Sequence, residues 1–391
     1  MYANIWCPRR GLEASRLFRY FVVNNLKAVS DPKKADLIVI FTCGVFAANE
    51  KFSILTIEKS LENKSAKIVL TGCLLKIDPD RLKVYDNAIR ILPEDIGKLD
   101  SLIRAKIPYH DLPNAAIIQG VNDLCRGSIL SRIGHYVESN IDLIGVLRAR
   151  YGLLSGSEDI FAPATYKLEI AKGCLGNCSF CAIKLGMEKF YSFPEEQILE
   201  SFRSSLKSGY RNFALLAGDI GCYGVDRQTN LPILLKKLFS VDGDFKILLW
   251  DLGAAWFIKY YPEFRSVLMA YSKKVSKIVI PIESGSDRIL KLMNRGYTID
   301  EVKECFLDLL KTIPDINLET QVIVGFPGET EEDFQKTLEM VRAVRFSKVV
   351  IFKFDARPNT KASELPDRVP KSIVDKRARV LARETHTRAI V

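Results

Sequence analysis

The chain has 391 residues, of which 48% are hydrophobic and 27% charged, with a net charge of +10. That length allows two or three domains with ample cores, and the balance is that of a soluble globular protein, which excludes fibrous and disordered classes. No run approaches the roughly 18 apolar residues needed to span a bilayer, and the start lacks a basic segment followed by an apolar one, so neither a membrane span nor a secretory signal is expected. Nine cysteines without export point to reduced thiols used as ligands in a cytoplasmic protein. The positive charge makes an acidic partner, nucleic acid first, worth considering. Much of it lies near the end, at Lys371, Lys376, Arg377, Arg379, Arg383 and Arg388, where a solvated helix face explains the run as well as a phosphate-binding one.

In chain order, Tyr2–Trp6, Leu37–Phe41 and Lys67–Leu70 read as buried strands, each leading into a helical segment, over a domain of residues 1–100. Cys7, Cys43 and Cys73 each follow one of these strands by one to three residues. In a doubly wound parallel α/β sheet the strand ends face one edge, so the three can meet there. A single such cysteine would be a small buried hydrophobe; three at equivalent places indicate a shared metal site. Residues 101–164 read as a linker with some helix, apolar at Leu112–Ile118, Ile129–Val137 and Ile141–Leu147.

From 165 to 368 short apolar runs alternate with amphipathic ones. Strands are predicted at Tyr166–Ile170, Asn212–Ala217, Lys246–Trp250, Lys277–Ile282, Leu318–Val324 and Lys348–Phe354. Helices are predicted at Glu195–Lys207, Leu231–Phe239, Ala255–Tyr271, Ile299–Leu310 and Glu331–Val344. Six β/α units in a row imply a parallel sheet with right-handed crossovers. Residues 369–391 form a basic helical tail.

The first of these strands runs into Lys-Gly-Cys174-Leu-Gly-Asn-Cys178-Ser-Phe180-Cys181. Three thiolates within eight residues can hold three irons of a [4Fe–4S] cluster and leave the fourth open. A zinc knuckle would want a fourth N or S ligand. The next cysteine is Cys222, and no histidine falls between residues 136 and 385. This C-x-x-x-C-x-x-C loop resembles that of radical S-adenosylmethionine enzymes, which implies an open, partial (βα)6 barrel with the loop at its C-terminal rim, where barrels build active sites.

With its second cysteine set and N-terminal α/β domain, the chain is similar to the methylthiotransferase family from Tyr2 to about Arg383. Ile170–Cys181, Ile280–Arg288, Lys291–Tyr297, Val324–Asp333 and the Asp355–Thr360 turn carry the resemblance. Three features depart from it. Trp6 and Arg10 stand where the family usually has Gly and Asn around the first cysteine, Phe193 replaces an Arg, and the sequence stops at Val391 without a C-terminal TRAM domain.

The resemblance implies replacement of an unactivated C–H bond by C–S–CH₃, a step that needs a radical and hence a cofactor. Two [4Fe–4S] clusters and S-adenosylmethionine are the implied cofactors. Cys174, Cys178 and Cys181 would hold the radical-generating cluster, and Cys7, Cys43 and Cys73 the sulfur-presenting one. The resemblance also implies Phe180 as an aromatic flank for the adenine, and position assigns cofactor contacts to Gly218 and Asp219 at the methionine amino group, Glu283 and Ser284 at the ribose, and Val324 and Gly325 at the adenine. Asp251 is placed at either substrate or cofactor. Cys125, Cys222 and Cys305 are read as structural thiols. An electron donor such as flavodoxin or ferredoxin is implied, with no membrane partner. For the substrate, the ending at Val391 and the Ala217–Asp226 segment favour a polypeptide or peptide. Methylthiolation of a tRNA adenosine is one alternative; another is a radical enzyme whose N-terminal cluster only relays electrons or anchors substrate.

Overall fold

The computed structural model describes residues 7–29, 31–112, 160 and 165–385. The expected strand Tyr2–Trp6 and nearly all of the 101–164 linker beyond Leu112 lie outside the described residues.

A three-stranded parallel sheet comes first, with β1 (Leu37–Thr42) beside β2 (Lys67–Gly72) and β2 beside β3 (Ala88–Arg90). Side chains alternate across a strand, and both faces here are apolar. Val39, Phe41 and Val69 pack with Leu17 and Tyr20 of the Pro8–Val23 helix. Ile38, Ile40, Ile68 and Leu70 pack with Ile54 and Ile57 of the Ala47–Leu61 helix on the other face. Each fully buried side chain of this size contributes about 1.5–3 kcal/mol. The sheet is doubly wound.

The second sheet is parallel and six-stranded, in the order β11-β10-β9-β8-β7-β4. Its strands are β4 (Thr165–Glu169), β7 (Asn212–Leu216), β8 (Lys246–Leu249), β9 (Val275–Val279), β10 (Leu318–Val324) and β11 (Lys348–Lys353). A short antiparallel pair, β5 (Ala171–Lys172) and β6 (Tyr191–Ser192), brackets the segment that carries Cys174, Cys178 and Cys181. Strands adjacent in the sheet are consecutive β/α units, the arrangement of an open partial barrel.

Three helices start on side-chain caps the sequence spells out. Asn230 accepts from Ile233 N at 3.0 Å, and Thr298/Glu301 and Thr330/Asp333 form capping boxes. The expected helix Ala255–Tyr271 is instead two, Ala254–Lys259 and Tyr261–Tyr271. Pro262 has no N–H to continue the first helix but suits the opening turn of a second. β9 ends at Val279 rather than Ile282. The chain then leaves the ladder and rejoins it as a lone bridge from Glu283 to Val322.

The basic C-terminal segment is a helix, Lys371–Glu384, with Val374, Ala378 and Leu381 in the barrel core. Arg377 faces inward, 5% exposed, and bonds Glu329 at 2.8 Å, so it belongs to neither a solvated nor a phosphate-binding face. Lys371, Lys376, Arg379 and Arg383 do face water.

Candidate functional site

The Cys174–Cys181 loop leaves β5 and is tied down along its length. Gly173 has φ +70°, and a Cβ there would lie 2.8 Å from the Phe190 backbone, so the turn needs glycine. Ser179 N donates to Met293 O at 3.0 Å, Ser179 Oγ to Leu292 O at 2.8 Å, and Asn294 Nδ2 to Asn177 O at 2.8 Å. The Lys291–Tyr297 motif is therefore a brace for the cysteine loop. Cys181 stands at the N-cap position of the short Ala182–Gly186 helix.

Within the loop each sulfur has its own surroundings. Gly176 N donates to Cys174 Sγ at 3.2 Å, and a Cβ on Gly176 would stand 3.2 Å from that sulfur and 3.7 Å from Cys178 Sγ. Arg295 Nη1 donates to Cys178 Sγ at 3.1 Å. Burial pushes the Cys181 thiol up to about 12. Cys174 moves down, because the Cys222 thiol hydrogen-bonds to it. Cys222 is fully buried, and its sulfur, the Cys174 sulfur and an Asp219 oxygen all lie within 4.8 Å of one another. The thiol read from sequence as structural thus touches the cysteine loop directly. Cys305 is partly buried against the barrel core, and Cys125 lies outside the described residues.

The second triad is assembled from distant chain segments. Cys7 stands at the N-terminus of the Pro8–Val23 helix, Cys43 just past β1 and Cys73 just past β2. Gly72, at φ +103°, lets the chain turn there: a Cβ would sit 2.3 Å from Thr42 O. Cys73 N then bonds Thr42 O at 3.0 Å, and Ser53 Oγ accepts from Cys43 N at 2.9 Å. Burial raises the Cys43 thiol to about 11, with the adjacent Cys73 and Cys7 sulfurs adding to the rise. Burial raises Cys7 too.

The Ala182–Gly186 helix starts next to Cys181 of one triad and packs against Cys73 of the other. A Cβ on Gly186 would lie 2.7 Å from Cys73 Cβ and 3.0 Å from its sulfur. The Asp355–Thr360 turn locks the two sheets together. Arg357 Nε donates to Gly44 O at 2.8 Å and also pairs with Glu50. Asn359 Nδ2 reaches Ile77 O at 2.8 Å, and Asp355 accepts from Ala47 N at 2.6 Å. Gly44 follows Cys43, so this turn steadies the second triad.

Three acids gather at the strand ends beside the cysteine loop. Asp219 follows β7 and accepts from Gly221 N and Gly253 N, each at 2.9 Å. Asp251 follows β8 at φ +56° and accepts from Gln321 at 3.0 Å. Glu283 sits at φ +63° and is 7% exposed, with Arg295 3.9 Å away. Non-glycine residues in this region are strained, which is common where a site fixes a side chain. Burial raises all three carboxyls, Asp251 to about 7. A cationic ligand would relieve that burial cost.

The other expected cofactor contacts have partners inside the fold. Gly218 is packed so that a Cβ would meet Gly173 O at 2.2 Å. Ser284 Oγ accepts from Ser286 N at 3.2 Å and lies 3.5 Å from Thr337 Oγ1. Val324 is fully buried in the barrel core, and Phe180 packs against the Ile289, Met293 and Phe326 cluster. Gly325 N donates to Glu329 Oε2 at 2.7 Å, and a Cβ there would strike Val374 at 2.4 Å. Phe193, at the position where the resemblance expects Arg, is buried in the barrel core.

Residues 168–341 match the radical SAM superfamily, and residues 3–92 match the uncharacterized protein family UPF0004. The chain is 30% identical over 384 residues to a probable threonylcarbamoyladenosine tRNA methylthiotransferase of Pyrococcus abyssi, covering 97% of this chain and 82% of that one. It is 31% identical over 347 residues to the threonylcarbamoyladenosine tRNA methylthiotransferase MtaB of Thermotoga maritima, covering 88% and 72%. It is also 29% identical over 387 residues to the ribosomal protein uS12 methylthiotransferase RimO of Protochlamydia amoebophila, covering 96% and 74%. Among solved structures, the fold is similar to the radical S-adenosylmethionine methyltransferase TsrM of Kitasatospora setae, with a TM-score of 0.57 at 13% identity over 90% of this chain and 67% of that one. The chain belongs to the radical S-adenosylmethionine methylthiotransferase family, enzymes that use S-adenosylmethionine and carry two [4Fe–4S] clusters.

Proposed function

We propose that this enzyme transfers a methylthio group to an adenosine of tRNA. The observation that carries the reading is similarity, over 88–97% of this chain, to relatives named for threonylcarbamoyladenosine in tRNA, from Pyrococcus and from Thermotoga. The net charge of +10 suits a polyanionic partner. The polypeptide reading draws on the RimO relative and on the Ala217–Asp226 segment. In that segment Asp219 and Cys222 brace Cys174 from within, so its pattern speaks to the cysteine loop more than to the substrate.

The two triads suit clusters of this kind. Each is a set of buried or half-buried thiols with one buried guanidinium on one sulfur, and a glycine beside the sulfurs leaves space that a Cβ would fill. Cys174, Cys178 and Cys181 would hold one cluster, and Cys7, Cys43 and Cys73 the other. When bound, the clusters and S-adenosylmethionine supply the electron, the radical and the sulfur that acid–base side chains cannot. The chain's own part is to bind and orient. Asp219, Asp251 and Glu283 offer buried negative charge to a cationic methionine moiety at the rim. Arg295 and Cys222 hold the Cys178 and Cys174 sulfurs in place, and the Asp355–Thr360 turn fixes one triad against the other. An electron would come from a small donor such as flavodoxin or ferredoxin.

The test is mass spectrometry of nucleosides from tRNA treated with anaerobically reconstituted enzyme, beside a ribosomal-protein and peptide pool. A methylthiolated adenosine that needs active enzyme is expected. A methylthio group on a polypeptide and on no nucleoside would overturn the tRNA reading and leave the reaction class in place.

A further inference from the structure

Arg10 occupies a position where the family resemblance expects Asn, and it is one of the most deeply buried charges in the molecule, 4% exposed. Its fork lies on one sulfur: Nε is 3.4 Å and Nη2 3.3 Å from Cys73 Sγ. Nη2 also donates to Gly186 O at 3.0 Å, and Nη1 pairs with Glu13. The side chain therefore spans from a Cys73 sulfur of the N-terminal triad to the end of the helix that starts next to Cys181. Glu13 balances one charge. A cysteine thiolate bound to iron would give the fork a second anionic partner, and charge-assisted bonds of this kind are the strong ones.

We propose that Arg10 is a positioning residue of the auxiliary cluster that raises its reduction potential. The inference rests on Cys7, Cys43 and Cys73 holding that cluster. Net charge and hydrogen bonds to the sulfurs are among the factors that set a cluster's potential. Reduction adds one electron and makes the cluster more negative, so a fixed cation donating two N–H groups to a ligand sulfur favours the reduced form. Arginine provides a planar fork that lysine lacks, and asparagine at this place would provide no charge. On the radical loop Arg295 donates to Cys178 Sγ at 3.1 Å from the other side. Each triad thus has its own guanidinium, and the one on the N-terminal triad is particular to this chain's departure from the family pattern.

The experiment uses the full chain with Cys174, Cys178 and Cys181 replaced by Ala, so that only the auxiliary cluster remains, and titrates that cluster by electron paramagnetic resonance. Arg10→Asn should lower the midpoint so that the reduced-to-oxidised ratio at a fixed potential falls about tenfold, ~59 mV for a one-electron couple. Arg10→Lys, keeping charge without the fork, should fall between. In a Cys43→Ala chain, Arg10→Asn should leave the radical cluster's midpoint unmoved. An unchanged midpoint in Arg10→Asn at equal iron content would overturn the proposal. Iron lost by Arg10→Asn, whether or not Arg10→Lys keeps it, would assign Arg10 to holding the cluster rather than to setting its potential and would overturn the proposal. A background chain that holds no iron with Arg10 intact would refute the auxiliary-cluster assignment itself, and the inference with it.

Discussion

The two cysteine triads reach similar surroundings by opposite routes. The radical loop packs its thiols into eight consecutive residues, and its braces come from two later segments, Asp219 with Cys222 and Leu292–Arg295. The N-terminal triad draws on segments 36 and 30 residues apart and depends on contacts from both sheets: Ser53 at Cys43, Arg10 and Gly186 at Cys73, and Arg357 at Gly44. A local site is specified by spacing. A dispersed one is specified by the tertiary fold, so it should be sensitive to substitutions far from any cysteine.

The largest contrast should come from a ligand itself. Cys43→Ala should leave reductive cleavage of S-adenosylmethionine intact, measured as 5′-deoxyadenosine, and abolish methylthio transfer. Methylthiolated product from that variant would show that the N-terminal triad does not present sulfur. Gly186→Val sharpens the comparison without touching a ligand. Its Cβ would meet Cys73 at 2.7 Å, so iron assay should show about half of the metal gone, from the N-terminal triad alone, by the stoichiometry of two equal clusters. Equal loss from both sites would mean that the helix supports them together.

Arg357→Ala removes a buried guanidinium, leaves Gly44 O without its donor and takes one of two partners from the half-buried Glu50, which keeps Arg81 at 3.4 Å. Denaturant unfolding should register a loss of about 1–3 kcal/mol, with the N-terminal domain opening more easily to hydrogen exchange while the barrel keeps its protection. Uniform exchange across both would count against the turn's role as a lock. The smallest effect is expected within the barrel, at Glu329. Burial lifts its carboxyl to about 7, with the Gly325 N–H and Arg377 pulling it back. A folded-state value above the unfolded one gives stability that is full below the unfolded value and lost as pH rises through about 7. Glu329→Gln should flatten that slope in thermal unfolding between about pH 4 and pH 8, the window the shift defines, without changing the iron content of either triad.

Much of the fold was legible because the β/α rhythm is regular. Glu195–Lys207, Leu231–Phe239, Leu318–Val324 and Glu331–Val344 have the bounds that periodicity and caps indicate. β3 was not, since it is three residues long with two of them exposed and carries no alternation to read. The break at Tyr260 needed Pro262 to be weighed against an apolar run that continues through it. At the site, the cysteine sets follow from spacing and from strand ends. Cys222 reads as a structural thiol by residue type, yet it follows a strand end, as Asp219 does, and that shared placement is the available signal. Arg10 stood out as a departure, but its contact with Cys73 joins residues 63 apart and exists only in the fold. The left-handed backbone at Asp251 and Glu283 has no signature in residue type at all.

Two separate clusters are proposed to sit on two separate triads. Iron content of the anaerobically reconstituted chain, compared with the chain bearing Ala at Cys174, Cys178 and Cys181, tests this most directly. Roughly eight irons per chain, falling to about half in the triple variant, are expected. A triple variant that kept all its iron, or lost all of it while still folded, would contradict the assignment.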